Sequence, residues 1–198
     1  MRHVKEKRER ALGVKLFLKA DRCNSPKCVM VRRPYRPGQH GQRRTNLSEY
    51  GKQLHEKQKI QIYFGLNDRQ MRRIFLGSKS RVKEMLLQRL DSVVSLLGFV
   101  RSPRVARQLI SHGHIIVNGR KVTIPSFRVS MNDTIAVRPE SRTLKMFEGT
   151  EAQLKQYTPP SWLALEEGKL EGKCVASSAA GDTTFPFDVD LVAQFYAR

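Results

Sequence analysis

Acidic residues are scarce in this sequence. Its 198 residues include 18 Asp and Glu against 37 Lys and Arg, which gives a formal net charge of +19. A charge of this size exceeds what solubility requires and destabilises a free monomer by self-repulsion. The excess is uneven, because residues 1–86 carry a net +16, residues 87–150 a net +6 and residues 151–198 a net −3. The composition therefore predicts a polyanionic partner, a nucleic acid, that contacts mainly the first two-thirds of the chain.

Long hydrophobic runs are also missing. No stretch approaches the roughly 18 apolar residues of a membrane-spanning helix. The N-terminal sequence MRHVKEKRER lacks the apolar core of a secretion signal. No long helix pairs a Lys/Arg face with a Trp/Phe/Leu face, so the sequence also disfavours binding to a membrane surface. We expect a cytoplasmic protein without a membrane partner.

Cysteine is rare as well. The three cysteines, an odd number, do not indicate a disulfide framework and fit a reducing compartment. Cys23 and Cys28 would supply only two ligands, whereas a structural zinc site requires four. The side chains that could complete such a site are His3, His40, Glu6 and Glu9. Cys23 and Cys28 could therefore be free thiols or zinc ligands. The sequence favours free thiols and no cofactor.

The segment RSPRVARQLISHGHIIVNGRKVTI, from Arg101 to Ile124, predicts a short helix that leads into a tight hairpin. Ser102 suits the N-cap, and Pro103 suits the first helical position. Gly113 is placed to end the helix in a left-handed conformation. Asn118-Gly119 is the strongest short hairpin signal, because both positions of the turn need positive φ.

Cations surround this helix and hairpin. The apolar stripe of the helix comprises Val105, Ala106, Leu109 and Ile110. The residues off that stripe are Arg101, Arg104, Arg107 and Gln108, and the hairpin adds Arg120 and Lys121. Such a unit is typical of phosphate binding. The alternative is an ordinary helix–strand unit with a solvated face, which the charge of the remaining chain argues against.

Periodicity and turn residues predict an α+β fold. It consists of a mainly helical N-terminal domain and a smaller module of helices with a short antiparallel sheet. The expected helices cover residues 48–64, 67–76, 82–97, 103–112 and 188–197, with partial helix over 142–157. The expected strands cover residues 115–117, 120–121, 134–137, 162–165 and 170–175. The expected domains are an extended basic arm (1–47), a helical N-terminal domain (48–86), an RNA-binding module (87–150) and a C-terminal section that packs back on the N-terminal domain (151–198).

Residues 80–137 resemble the S4 RNA-binding module. The pieces RLD-x-VV, LGF, ARQL, HGHI, VNG and IPS stand in the order of that module. Outside it, RRPYRPGQHGQRR with SEYGKQLHEKQKIQIYFG, and the closing VAQFYAR, resemble the bacterial S4 family of ribosomal proteins. The resemblance implies a non-enzymatic constituent of the small (30S) subunit that binds 16S ribosomal RNA. It also implies a role in nucleating assembly of the subunit body, ribosomal protein five as a neighbour, and an influence on decoding accuracy.

The sequence departs from the family at three places. Metal-binding members carry two Cys pairs near the N-terminus, but Glu6 and Glu9 stand here where the first pair would be. The connection between Phe75 and Met85 is shorter than is common. Met131-Asn132-Asp133 replaces the usual Pro-Gly-Asp turn.

An enzymatic alternative rests on Arg89-Leu90-Asp91, which resembles the catalytic aspartate motif of pseudouridine synthases that carry the same module. A stand-alone RNA-binding protein is a third possibility. The motif lies within an apolar helix, and the remaining chain offers no committed acid, base or nucleophile, so we expect no catalytic residue and no small-molecule substrate.

The candidate RNA-binding residues are the polar and cationic residues of the arm, the first helices and the module. The arm contributes Arg32, Arg33, Tyr35, Arg36, Gly38, Gln39, His40, Arg43 and Arg44. The first two long helices contribute Lys52, Gln53, Lys57, Lys59, Arg69, Arg72 and Arg73. The module contributes Arg101, Arg104, Arg107, Gln108, His112, His114, Asn118, Arg120 and Lys121. For Tyr35, stacking on RNA and packing on the apolar residues near Leu16 stay open; for His112 and His114, RNA contact and positioning of the turn stay open.

Overall fold

The computed structural model describes residues 5–43, 46–77, 81–166, 169–177 and 185–197. Contacts between residues separate the chain into two compact units. The first unit is Met1–Val82 with Phe185–Arg198, and the second is Lys83–Thr184. Within the described ranges, no helix is both long and apolar enough to cross a membrane.

Helices occur in both units and strands in the second, so the fold is α+β. The helices are α1 (Lys5–Leu12), α2 (Ala20–Cys23), α3 (Val29–Arg32), α4 (Glu49–Phe64), α5 (Asp68–Gly77), α6 (Val82–Leu87), α7 (Leu90–Leu96), α8 (Pro103–His112), α9 (Thr150–Leu154) and α10 (Val189–Tyr196). The strands are β1 (Ile115–Val117), β2 (Arg120–Lys121), β3 (Thr134–Val137), β4 (Leu163–Leu165) and β5 (Glu171–Cys174).

Local side-chain chemistry sets the ends of the long helices in the first unit. The Ser48 hydroxyl accepts a hydrogen bond from the Gly51 N–H at 3.2 Å and begins α4, as predicted. Gly65 ends α4 with φ of 60°. Asn67 and Gln70 then cap α5 reciprocally, because each side-chain oxygen accepts from the other's backbone N–H, at 2.8 and 3.0 Å.

The core of the first unit lies where α10 packs on α4 and α5. Its buried side chains are Ile60, Phe64, Met71, Phe75, Val189 and Val192. The Phe75 and Tyr196 rings stack with centroids 5.3 Å apart. The predicted final helix therefore forms and closes this core with its apolar face.

The segment expected as an extended arm contains α1, α2 and α3 before it becomes irregular. Glu9 holds the first part of this segment in a folded conformation. Its buried Oε1 accepts hydrogen bonds from the backbone N–H groups of Leu16 (3.0 Å) and Leu18 (3.2 Å). These bonds fold the chain over a small core of Leu12, Leu16 and Leu18. Phe17, between Leu16 and Leu18, has φ of 52° and an exposed ring.

The strands of the second unit form an antiparallel sheet in the order β2-β1-β3-β5-β4. Asn118 and Gly119 join β1 to β2 with φ of 49° and 75°, the positive values that the predicted hairpin turn requires. α7 and α8 pack together, with Val93, Val94, Ala106 and Ile110 buried.

The strands β4 and β5 belong to this second unit. β5 pairs with β3, with Ile135 opposite Gly172, and β4 pairs with β5. The sequence placed residues 151–198 with the N-terminal domain, whereas in the structure only the part from Phe185 onward groups with the first unit. The difference is physical: ladder hydrogen bonds to β3 hold residues 171–174 in the sheet.

The apolar segment 82–97 is not one helix, and that prediction was wrong. α6 ends at Leu87 and α7 begins at Leu90, with Arg89 in an extended conformation. The backbone groups released at the break bond to a distant turn. Leu90 N–H donates to Phe127 O (2.9 Å), Asp91 N–H to Pro125 O (3.2 Å), and Val129 N–H to Gln88 O (2.9 Å).

Candidate nucleic-acid interface

The helix α8 presents polar groups away from the core. The Ser102 hydroxyl accepts from Val105 N–H at 3.4 Å, and Pro103 occupies the first turn. Pro103, Ala106, Leu109 and Ile110 are buried, which fixes the rotation of the helix. Gln108 is therefore exposed, and Arg104 and Arg107 are partly exposed; Arg101, just before the helix, is also exposed.

The arginines in α8 and just before it also have contacts within the unit. The Arg101 guanidinium donates to Gln153 Oε1 at 3.4 Å. Burial raises the pKa of Asp91, and the hydrogen bond and charge of Arg89, followed by the positive charge of Arg107, act against that rise. These cations thus combine internal contacts with partial exposure.

The C-terminal end of α8 meets the hairpin. Gly113 has φ of 78°, and Gly113 N–H and His114 N–H donate to Ile110 O and Leu109 O, closing the last turn. A Cβ at Gly113 would lie 2.1 Å from Lys121 Cε, so the Lys121 stem runs directly over this glycine. Arg120 and Lys121 are exposed, and neither forms an ion pair within the described ranges.

The two histidines at this corner differ in environment. His112 is exposed in the last turn of α8, whereas the Nδ1 atom of His114 lies 2.9 Å from Ser141 Oγ. Their rings stack with centroids 6.1 Å apart. The geometry gives His114 a positioning contact and leaves His112 open to a partner.

Asn118 uses its side chain inside the unit. Its Nδ2 donates to Asp133 Oδ1 at 2.7 Å, and its Oδ1 accepts from Thr134 N–H at 2.9 Å. Asp133 Oδ2 in turn accepts from Ser130 N–H at 2.7 Å. Asn118 therefore ties the hairpin to the turn before β3, a role that the sequence did not reveal.

The arm in the first unit is anchored at its base. Arg10 Nε donates to Tyr35 O (3.0 Å) and Arg10 Nη2 to Arg36 O (3.3 Å), while its guanidinium lies 5.0 Å from the centroid of the Tyr35 ring. Tyr35 thus packs under a cation. Arg10, which sequence reasoning missed, is the residue that positions this part of the arm.

Beyond Tyr35 the arm turns back and exposes its polar residues. Gly41 N–H donates to Gly38 O, and Arg43 N–H donates to His40 O. The Gly41 position needs glycine, because a Cβ there would lie 1.8 Å from Arg36 O. The exposed predicted residues are Arg32, Arg33, Gly38, Gln39, His40 and Arg43, with Arg36 partly exposed. Arg44 lies outside the described residues.

Two predicted residues of α4, Gln53 and Lys57, turn inward. Gln53 is buried, and its Nε2 donates to Gln194 Oε1 at 3.5 Å. Lys57 pairs with Asp68 at 2.5 Å and lies over the Phe195 ring. Burial is the largest single effect and lowers the pKa of Lys57, but the hydrogen bonds and charges of Asp68 and Tyr196 together outweigh it, so the pKa of Lys57 is raised. The geometry commits these side chains to the helix packing rather than to a partner.

Lys59 and Lys52 also pair internally, with Glu56 at 2.5 Å and Glu49 at 2.6 Å. Lys59 is mostly buried, whereas Lys52 is about half exposed. By contrast, α5 exposes Arg69, Arg72 and Arg73 on the side opposite its buried Met71 and Phe75. The cationic surface of the first unit therefore comes from α5 and the arm.

Comparison with known proteins shows which family this chain resembles. Residues 1–95 match the family described as Ribosomal protein S4/S9 N-terminal domain, and residues 88–135 match the S4 domain. Small ribosomal subunit protein uS4 of Thermus thermophilus is 43% identical over 194 residues, which cover 94% of this chain and 93% of that protein. The uS4 proteins of Halothermothrix orenii and Acetivibrio thermocellus are each 42% identical over 193 residues, with the same coverage.

The chain belongs to the uS4 family of ribosomal proteins. The resemblance seen in the sequence is thereby confirmed. A uS4 protein is a structural protein and not an enzyme, and the local geometry at Asp91 agrees. Its carboxylate is buried, with Arg89 Nε 3.0 Å from Oδ1 and Arg89 Nη2 2.6 Å from Oδ2. Asp91 therefore lacks the access that a catalytic aspartate needs.

Four of the residues considered for a zinc site, Glu6, Glu9, Cys23 and Cys28, line one small cavity of the first unit, where Glu6 pairs with Lys19 and Arg22. Cys23 and Cys28 are buried, and both lone-pair directions of Glu9 Oε1 are taken by backbone N–H groups. Burial, and then the charge of Glu9, raise the pKa of Cys23. The described residues contain no group of three His, Cys, Asp or Glu able to hold a metal ion. His3 lies outside them.

One exposed element of the second unit was missed altogether. The turn between Ile124 and Phe127, followed by the exposed Arg128, lies close along the chain to Arg120 and Lys121. Pro125-Ser126 signalled a turn. The exposure of Ile124 and Phe127 depends on the backbone hydrogen bonds between this turn and residues 88–91. No local sequence pattern reveals those bonds.

Proposed function

We propose that this chain is a structural constituent of the small ribosomal subunit that binds 16S ribosomal RNA, and so acts in the cytoplasm on the ribosome. The observation that carries the proposal is the cationic corner of the second unit. There the buried stripe of α8 leaves Gln108 exposed and Arg104 and Arg107 partly exposed, Arg101 is exposed just before the helix, and the Lys121 stem of the hairpin runs over Gly113 at the end of the helix. Membership of the uS4 family supports it.

Binding is electrostatic in this proposal. Each Lys or Arg that contacts a phosphate releases condensed counterions, so affinity falls as salt rises. The contacting residues are Arg101, the partly exposed arginines of α8 and the exposed cations of the hairpin, α5 and the arm. Gln53, Lys57, Lys59 and Asn118 are left out, because internal contacts occupy their side chains. Double-stranded RNA is recognised mainly by shape, which such a surface suits.

Two finer roles complete the proposal. Early binding of the folded RNA by both units would nucleate assembly of the subunit body. Residues 151–198 carry a net negative charge, so they suit contact with basic neighbouring proteins, of which ribosomal protein five is the proposed one. Through that neighbour the chain would influence translational accuracy.

The test compares two double variants that remove equal charge. Arg120→Gln with Lys121→Gln neutralises the hairpin. Lys155→Gln with Lys173→Gln neutralises two exposed lysines elsewhere in the second unit; Lys173 lies on β5, three strands from β2. Affinity for 16S ribosomal RNA is measured between about 50 and 200 mM salt, where phosphate contacts dominate its variation.

The hairpin variant should bind more weakly and lower the salt slope by about two units, one for each lost phosphate contact. The control should keep the wild-type slope, and both should keep the thermal midpoint, because exposed substitutions change stability by about 0.5 kcal/mol or less. Equal slopes for the two double variants would contradict the proposed position of the interface.

A further inference from the structure

The turn that connects the basic hairpin to residue 128 exposes two large apolar side chains. Phe127 N–H donates to Ile124 O at 3.1 Å, which brings these residues together at the base of the turn. Ile124 is 60% and Phe127 37% exposed. Within the described ranges, the Phe127 ring contacts no other aromatic ring and no cation. The Phe127 ring is thus partly exposed at the surface, and no described ring or cation stacks on it.

The turn is firmly attached to the rest of the unit. Its carbonyl groups at Pro125 and Phe127 accept the backbone N–H groups of Asp91 and Leu90 at the break between α6 and α7. Arg89 and Arg128 form a backbone bridge beside them. The ring of Phe127 is therefore presented from a fixed backbone, and a partner that covers it need not order the turn first.

The charges around the turn indicate the class of partner. Arg120 and Lys121 precede Ile124 by three or four residues, and Arg128 follows Phe127 directly. All three cations are exposed, and they form no ion pair within the described part of the chain. A protein partner would have to bring acidic groups to this corner, whereas RNA supplies both phosphates for the cations and bases for the ring.

We propose that Phe127 stacks on an unpaired base of the bound RNA, with Ile124 supporting one side of that base and Arg120 and Arg128 contacting its flanking phosphates. This assignment rests on the RNA binding proposed above and extends it. Phosphate contacts alone carry no base-specific information. Stacking at this turn makes the chain prefer a junction with an unstacked nucleotide over a regular duplex.

The experiment measures the affinity of the full chain for 16S ribosomal RNA across a salt series. Phe127→Ala should weaken binding roughly 5-fold to 150-fold, the range measured when a stacking aromatic is truncated. Phe127→Trp should keep the wild-type affinity, and Phe127→Leu should resemble Phe127→Ala, because a base stacks on a ring. The salt slope should not change, since no phosphate contact is lost.

Met146→Ala is the matched control, because Met146 is another exposed large apolar residue of the second unit. It should bind like the wild type, and circular dichroism should show every variant folded. If Phe127→Ala and Phe127→Leu both bind RNA with wild-type affinity, the stacking role is refuted. The same result is expected if the turn binds a protein instead of RNA. If neither the wild type nor Met146→Ala binds RNA, the proposed function itself is refuted. Failure of the stacking role and failure of the proposed function therefore give different results.

Discussion

The ion pair between Arg89 and Asp91 should be the most sensitive point of the second unit. Both residues are buried, and two hydrogen bonds of 3.0 and 2.6 Å join the guanidinium to the carboxylate. Asp91→Asn removes the negative charge and leaves the Arg89 cation buried. Breaking a buried pair in this way costs about 3–5 kcal/mol, because the remaining charge is uncompensated.

That loss is large against the ~5–15 kcal/mol that stabilises a typical domain. For a unit of this size it should lower the thermal midpoint by more than about 10 °C. The chain contains one tryptophan, Trp162, which is buried in the second unit. Its fluorescence in a denaturant titration therefore reports the unfolding of this unit separately from the first.

A double variant distinguishes the charge from the packing. Arg89→Met with Asp91→Leu removes both charges and keeps apolar volume, so most of the stability should return. The reasoning fails if Asp91→Asn shifts the unfolding free energy by less than about 1 kcal/mol, or if the double variant is no more stable than the single one. In either case the pair would not be what holds the break between α6 and α7.

Two further predictions concern the first unit. Burial raises the pKa of Glu9, so its contribution to stability is complete in acid and is lost as pH rises through the folded-state pKa. Glu9→Gln should therefore gain stability relative to the wild type between about pH 4 and pH 7 in urea unfolding monitored by circular dichroism, and the opposite trend would contradict this. Gly41→Ala should weaken RNA binding, because its Cβ would meet Arg36 O, whereas Gly77→Ala has open space and should not. Equal affinities for these two alanine variants would show that the turn of the arm is not part of the interface.

Local chemistry made the ends of the elements predictable. Ser48 and Ser102 cap their helices, Gly113 ends α8, and Asn118-Gly119 forms the hairpin turn. Each of these features depends on the conformational preferences of one or two residues and on partners within about four positions. The polar face of α8 follows from the same short-range periodicity.

Features that depend on residues distant along the chain could not be predicted from the sequence. The apolar pattern of residues 82–97 continues through Arg89, and only the bonds to residues 125–129 interrupt the helix. Lys57 sits in a polar stretch typical of an exposed face, yet α10 covers it, 138 residues later at Phe195. The pattern of polar and apolar residues indicates which side chains prefer water. It does not indicate which element of the fold packs over a side chain and buries it.

The break at Arg89 connects stability with the interface. If α6 and α7 were one continuous helix, the N–H groups of Leu90 and Asp91 would bond within it, and the carbonyl groups of Pro125 and Phe127 would lose their partners. Residues 124–128 would then be an unsupported loop, and the ring of Phe127 would no longer have a fixed position. A buried ion pair is weak evidence of stability, since apolar residues often replace it without loss. Its position here gives it a different role, because it lies at the break whose backbone N–H groups hold the turn that carries Phe127.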